Sequence, residues 1–128
     1  MTILFILPCM LFLHIVDDYY LQGILASMKQ KSWWIKNPEY NEMYCNDYII
    51  ALMMHAFSWA FMIMLPIAIY MHFEISAVFL LVLGMNFVIH AIIDDMKANK
   101  KWINLVVDQT IHVLQIVATY LTFILIMA

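Results

Sequence analysis

The stretch Tyr48–Phe73, YIIALMMHAFSWAFMIMLPIAIYMHF, decides the fold class of this chain. Its 26 consecutive residues include no Asp, Glu, Lys or Arg, and roughly 20 apolar helical residues suffice to cross a bilayer core of about 30 Å. A strand is excluded, because the backbone groups of an open strand stay unsatisfied in lipid. We therefore predict a transmembrane α-helix here.

The composition of the whole chain is that of a membrane protein. Of its 128 residues, 66% are apolar and 12% are charged, whereas a soluble domain carries about 25% charged residues. The net charge of −3 and the lack of Arg argue against a nucleic-acid partner. We predict an all-α fold, an integral-membrane four-helix bundle in one multi-pass domain. Its predicted parts are four spans at about residues 1–28, 48–73, 75–96 and 102–128, and an interfacial cytoplasmic loop at residues 29–47.

The distribution of lysine predicts how the bundle is oriented in the membrane. All six basic residues are lysines that follow the first or the third predicted span: Lys29, Lys31, Lys36, Lys97, Lys100 and Lys101. In membrane proteins the excess of Lys and Arg lies in cytoplasmic loops. With four spans, both lysine-bearing loops then lie in the cytoplasm, and both termini lie on the non-cytoplasmic side.

Ionisable side chains recur at helical spacing within the predicted spans. Residues four apart on a helix are neighbours on one face. At a rise of 1.5 Å per residue, the groups from all four spans also lie within about one helical turn of the same depth, in the cytoplasmic half. We therefore expect them to meet inside the bundle. The seven residues are His14, Asp18, His55, His90, Asp94, Asp108 and His112.

The residue types at this level predict a metal centre. Buried carboxylates are strongly destabilising without a countercharge, and we expect no Lys or Arg to be placed where it neutralises them. Imidazole and carboxylate ligands without thiolate suit a divalent Zn, Mn or Fe ion. Seven ligands exceed the four of one tetrahedral ion, so a second ion is a further expectation. The adjacent acids Asp17 and Asp95 are candidates for a catalytic general base.

Four polar motifs follow one another along the chain: His14-x-x-x-Asp18-Tyr-Tyr-Leu-Gln22, the single His55, His90-x-x-x-Asp94-x-x-Lys97 and Asp108-Gln-Thr-Ile-His112. In this order they resemble a bacterial and phage family of small polytopic membrane proteins, classed as a domain of unknown function. The chain is also distantly similar to inner-membrane proteins described as predicted membrane-bound metal-dependent hydrolases. The resemblance covers nearly the whole chain. It implies a place in the bacterial inner membrane and a polar site made of the seven residues, with Gln22 and Gln109 beside it.

Three functions fit these observations. The first is a metal-dependent hydrolase acting on a lipid or phosphoester substrate at the cytoplasmic half of the membrane, where a divalent ion supplies hydroxide at neutral pH. The second is a non-enzymatic phage or bacterial protein that binds or inhibits a membrane protein partner, with a structural His/Asp cluster that hydrogen-bonds across helix interfaces. The third is a proton or divalent-cation transporter, which uses such Asp and His chains. Transport would need a homo-oligomer or a water-filled defect, because the outer halves of the spans carry few ionisable groups.

Overall fold

The computed structural model describes residues 2–36 and 42–127. Within these residues the regular secondary structure is helical, and no strand occurs. Each long helix covers most of one of the apolar segments found in the sequence. In chain order the elements are α1 (Ile3–Ile15), its continuation as a π-helical turn (Val16–Leu21), α2 (Leu25–Met28), α3 (Lys31–Lys36), a 3-10 turn (Glu42–Tyr44), α4 (Asp47–Tyr70), α5 (Ala77–Ala98) and α6 (Leu105–Met127).

Four of these segments are long and apolar enough to cross a membrane, namely α1 with its π-turn, α4, α5 and α6. This confirms the prediction of an all-α fold with four helices that are long and apolar enough to span a membrane. Helix α4 lies at the centre and packs against both α1 and α5. We call the end where α1 stops and α4 and α6 begin the lysine end, and the opposite end the terminal end. The side of the membrane on which each end lies stays a prediction.

Local sequence signals set where the helices stop and start. Gly23 has φ +53°, a left-handed conformation that glycine adopts without a Cβ penalty, so the first long helix ends at Leu21 and α2 starts separately. At the start of α5, the Ser76 Oγ accepts a hydrogen bond of 3.1 Å from the Phe79 backbone N–H, as an N-cap serine does. These breaks allow the consecutive long helices to pack as a bundle.

The terminal half of the bundle has an apolar interior. Ile63 and Ile67 of α4 and Ile116 of α6 are fully buried there. The outside is apolar as well, since side chains such as Leu81 and Leu114 are more than half exposed. An apolar exterior suits a surface that faces lipid tails. The buried polar groups are concentrated towards the lysine end, where the candidate site lies.

Candidate metal centre

The π-turn at the end of α1 brings two adjacent acids into the interior. Asp17 is 2% exposed and Asp18 is 7% exposed, although neighbouring residues of an α-helix point about 100° apart. A π-turn widens the helix locally, and such turns occur frequently at functional sites. The α-helical spacing of the sequence placed Asp18 on the inner face. The sequence contains no signal for the π-turn, which buries Asp17 as well.

Three of the predicted ligands, from three different helices, form a first ligand group. Asp18, His55 and His90 each offer a ligand atom, and the three atoms lie within 4.8 Å of one another. The His55 Nε2 lies 3.2 Å from the Asp18 Oδ1 and 3.2 Å from the His90 Nε2. Two ligands of one tetrahedral ion at about 2.0 Å are themselves roughly 3.3 Å apart. The spacing therefore fits a first-row divalent metal.

Asp94 lies between this group and a second one. Its Oδ2 is 3.3 Å from the His55 Nε2, and its Oδ1 is 3.8 Å from the His112 Nε2. His90, Asp94 and His112 also meet the ligand-spacing criterion of 4.8 Å. Asp108 adds a further oxygen, because its Oδ1 is 3.2 Å from the His112 Nε2. Six of the seven predicted ligands thus lie together.

His14, the seventh, lies beside the cluster but has both ring nitrogens engaged elsewhere. The Trp59 indole N–H donates to its Nδ1 over 2.8 Å, and its Nε2 lies 3.0 Å from the Gln109 Oε1. The Gln109 amide in turn donates to Asp18 and Asp108 at 2.9 and 3.0 Å. In this arrangement His14 braces the cluster through its neighbours and joins neither ligand group.

The two acids predicted to act as a general base occupy different places. Asp17 accepts a 2.6 Å hydrogen bond from the Ser58 hydroxyl, and its Oδ2 lies 3.9 Å from the His55 Nδ1, on the ring edge away from the ligand group. Asp95 instead lies at the protein surface, where it accepts from the Asn99 amide and is 3.6 Å from the Lys100 Nζ. Asp95 is therefore outside the cluster.

The expectation that no lysine neutralises the buried acids is wrong. The Lys29 Nζ donates to the Asp94 Oδ2 at 2.5 Å, and the Lys97 Nζ donates to the Asp108 Oδ2 at 2.6 Å. Lys29 follows the first span in sequence, but its segment packs against the end of α5: the Asn99 side chain bonds both the Lys29 carbonyl and the Lys31 N–H. Lys97 lies near the lysine end of α5, and its long side chain places the ammonium group beside Asp108 of α6.

With ionised acids and neutral histidines, the charges of the cluster do not balance even with both lysines present. Four carboxylates are then buried against two ammonium groups, which leaves a net charge of −2. One divalent cation would bring it to zero. It would also satisfy part of a set of buried atoms that have no hydrogen-bond partner among the described residues. Those atoms include Asp18 Oδ1, Asp94 Oδ1, Asp108 Oδ1, His90 Nδ1, His112 Nδ1 and His112 Nε2. The residues present therefore fit a metal.

Trp59, which the sequence did not single out, separates this cluster from the apolar interior. Its ring stacks on His90 with centroids 4.1 Å apart and an interplanar angle of 14°, and it is fully buried. Towards the terminal end, the polar groups continue only as a small network in which Asn86 bonds Gln115 and Thr119. Beyond that network, the described interior is apolar.

No protein-family model, curated protein or solved structure matches the chain. The His/Asp cluster itself is therefore the basis for a functional conclusion.

Proposed function

We propose that this chain is a divalent-metal protein of the bacterial inner membrane and acts as a metal-dependent hydrolase in the lysine-end half of the bundle. The observation that carries this is the Asp18, His55 and His90 group, three ligands from three helices at metal-ligand spacing. Catalytic zinc sites use three protein ligands, commonly two imidazoles and a carboxylate, and leave one position open. We take the reaction class from the distant resemblance to predicted membrane-bound metal-dependent hydrolases.

The residues around the group have separable tasks. When bound, a divalent ion supplies a nucleophile at neutral pH and polarises a substrate oxygen. Asp17 lies on the Nδ1 side of His55, where a carboxylate orients an imidazole ligand. Lys97 pairs with Asp108 through its ammonium group, and its side chain is 25% exposed. It is the group we assign to an anionic substrate, a phosphoester or a lipid headgroup.

Metal content tests the centre. We would measure bound transition metal by mass spectrometry in detergent-purified wild type, Asp18→Asn and the matched control Asp95→Asn. We expect at least one equivalent in the wild type and the control, and its loss in Asp18→Asn with an unchanged helical circular dichroism spectrum. A wild type that holds no metal after reconstitution with Zn, Mn or Fe would exclude the metal centre.

Hydrolysis is tested separately in lipid vesicles. The reconstituted wild type should hydrolyse a phosphomonoester or a phospholipid when loaded with metal, and it should stop when a chelator is added. Asp18→Asn should be inactive under both conditions. A protein that binds metal but cleaves neither substrate class would retain the metal centre and contradict the hydrolase.

A second candidate is a non-enzymatic role in which the cluster holds the bundle together for a membrane protein partner. The observation in its favour is that the cluster is closed: all its ligand groups are buried, and the Lys29–Asp94 and Lys97–Asp108 pairs each join two segments. In this case chelation should lower thermal stability, while metal-loaded protein should cleave nothing in the vesicle assay.

A further inference from the structure

We infer that Asp108, His112 and the far oxygen of Asp94 form a second divalent-cation site, and that Asp94 bridges it to the first. The second site rests on the metal centre of the proposed function and adds a two-ion arrangement to it. It involves α6, which contributes no ligand to the Asp18, His55 and His90 group.

The two oxygens of Asp94 face different partners. Its Oδ2 is 3.3 Å from the His55 Nε2, whereas its Oδ1 is 3.8 Å from the His112 Nε2. A carboxylate that offers one oxygen to each of two ligand sets is suited to bridge two ions, which in two-metal hydrolytic sites lie about 3.5–4 Å apart. The position of Asp94 at the centre of the bundle gives it access to both sets.

The burial of His112 without a hydrogen-bond partner is a second, independent observation that supports this site. His112 is 0% exposed, yet neither ring nitrogen has a hydrogen-bond partner among the described residues. The Asp108 Oδ1 lies 3.2 Å from its Nε2 but without hydrogen-bond geometry. The Asp94 Oδ1 has no hydrogen-bond partner among the described residues either, and its ion pair with the Lys97 Nζ is 3.7 Å long. Unpartnered buried polar atoms are destabilising. A cation bound by the His112 Nε2, the Asp108 Oδ1 and the Asp94 Oδ1 removes that deficit at these three atoms.

The lysines determine when the second ion binds. With neutral histidines, one divalent ion and both lysines neutralise the four carboxylates, whereas two ions with both lysines in place would leave an excess charge of +2. With both ammonium groups turned away, two ions alone neutralise the four carboxylates. The second ion therefore has to displace lysine, and Lys97 competes for it directly, because it holds the Asp108 Oδ2.

Manganese titration followed by electron paramagnetic resonance tests the second site without relying on activity. Wild-type protein in detergent should bind two Mn²⁺ ions in a tighter and a weaker step, and the second step should produce the spectrum of an exchange-coupled pair. His112→Ala should bind one ion and show only an uncoupled spectrum. Asp108→Asn, which keeps the side-chain volume, should do the same if His112→Ala does not fold. Asp95→Asn is the control and should bind as the wild type does.

Lys97→Met gives the complementary result. Removing the competing ammonium group should lower the dissociation constant of the second binding step roughly tenfold, which corresponds to about 1.4 kcal/mol of binding free energy. The dissociation constant of the first step should not change. If the wild type binds a single ion that His112→Ala retains, the second site is wrong and the metal centre stands. If the wild type binds no ion, both are wrong.

Discussion

The Lys29 Nζ lies 2.5 Å from the Asp94 Oδ2, although the two residues are 65 positions apart in sequence and both are buried. The contact places a lysine from the segment after the first span against the central acid of the cluster. An ammonium group in this position supplies part of the charge that a metal would otherwise provide. The pair therefore links the packing of α2 and α3 to the state of the site.

Replacing this lysine should strongly destabilise the metal-free protein. Lys29→Met leaves Asp94 buried without its partner, and breaking a buried pair in this way costs about 3–5 kcal/mol. Thermal unfolding in detergent measures the loss, and added Zn²⁺ or Mn²⁺ should recover a large part of it, because the cation takes over the charge. Lys36→Met changes an exposed lysine of the same segment and should behave as the wild type. Equal losses in the two variants would contradict a specific role for Lys29.

The Trp59 indole should stabilise the cluster through its N–H as well as its ring. Trp59→Phe removes the 2.8 Å donor to the His14 Nδ1 and leaves that nitrogen buried without a partner, at a cost of about 1–3 kcal/mol. We expect a lower unfolding temperature and weaker metal binding. Trp102→Phe is the matched control, since Trp102 is 69% exposed. A stable Trp59→Phe protein with unchanged metal affinity would show that the hydrogen bond is dispensable.

The two glycines should respond in opposite ways to the same substitution. Gly23 has φ +53°, and an added Cβ there meets only a backbone oxygen at 3.8 Å, so Gly23→Ala should cost about 1–2 kcal/mol through backbone strain alone. Gly84 lies within α5 with nothing within 4 Å of an added Cβ, and Gly84→Ala should be neutral or stabilising. Thermal unfolding of the two variants side by side measures the difference. An unchanged unfolding temperature of Gly23→Ala would mean that the first long helix can end without a left-handed residue at this position.

The orientation in the membrane is open to a direct test. In a background with Cys9 and Cys45 replaced by alanine, Glu74→Cys marks the terminal end and Lys100→Cys marks the lysine end. The positive-inside rule predicts that a membrane-impermeant maleimide labels Glu74→Cys in intact cells with a permeable outer membrane, and Lys100→Cys only after the inner membrane is opened. The reverse labelling pattern would place both termini in the cytoplasm.

Hydropathy along the chain was enough to predict the helices that are long and apolar enough to span a membrane, because a span has to be apolar over a continuous stretch whatever its neighbours are. The i, i+4 spacing and the common depth of the His and Asp residues predicted that all seven candidate ligands meet, and six of them do, since helical periodicity determines which residues share a face. Both kinds of information are local. They do not depend on which side chain from another helix comes within reach.

Tertiary structure alone decided how the polar groups are paired. His14 has the same spacing to an acid as His90 has, yet Trp59 and Gln109 occupy both of its nitrogens. Lys29 sits outside the apolar span in sequence but enters the site because its segment packs against α5. Whether a hydrogen bond or ion pair forms depends on differences of a few tenths of an ångström in the distances between residues far apart in the chain. Those distances are determined only when the four helices pack together.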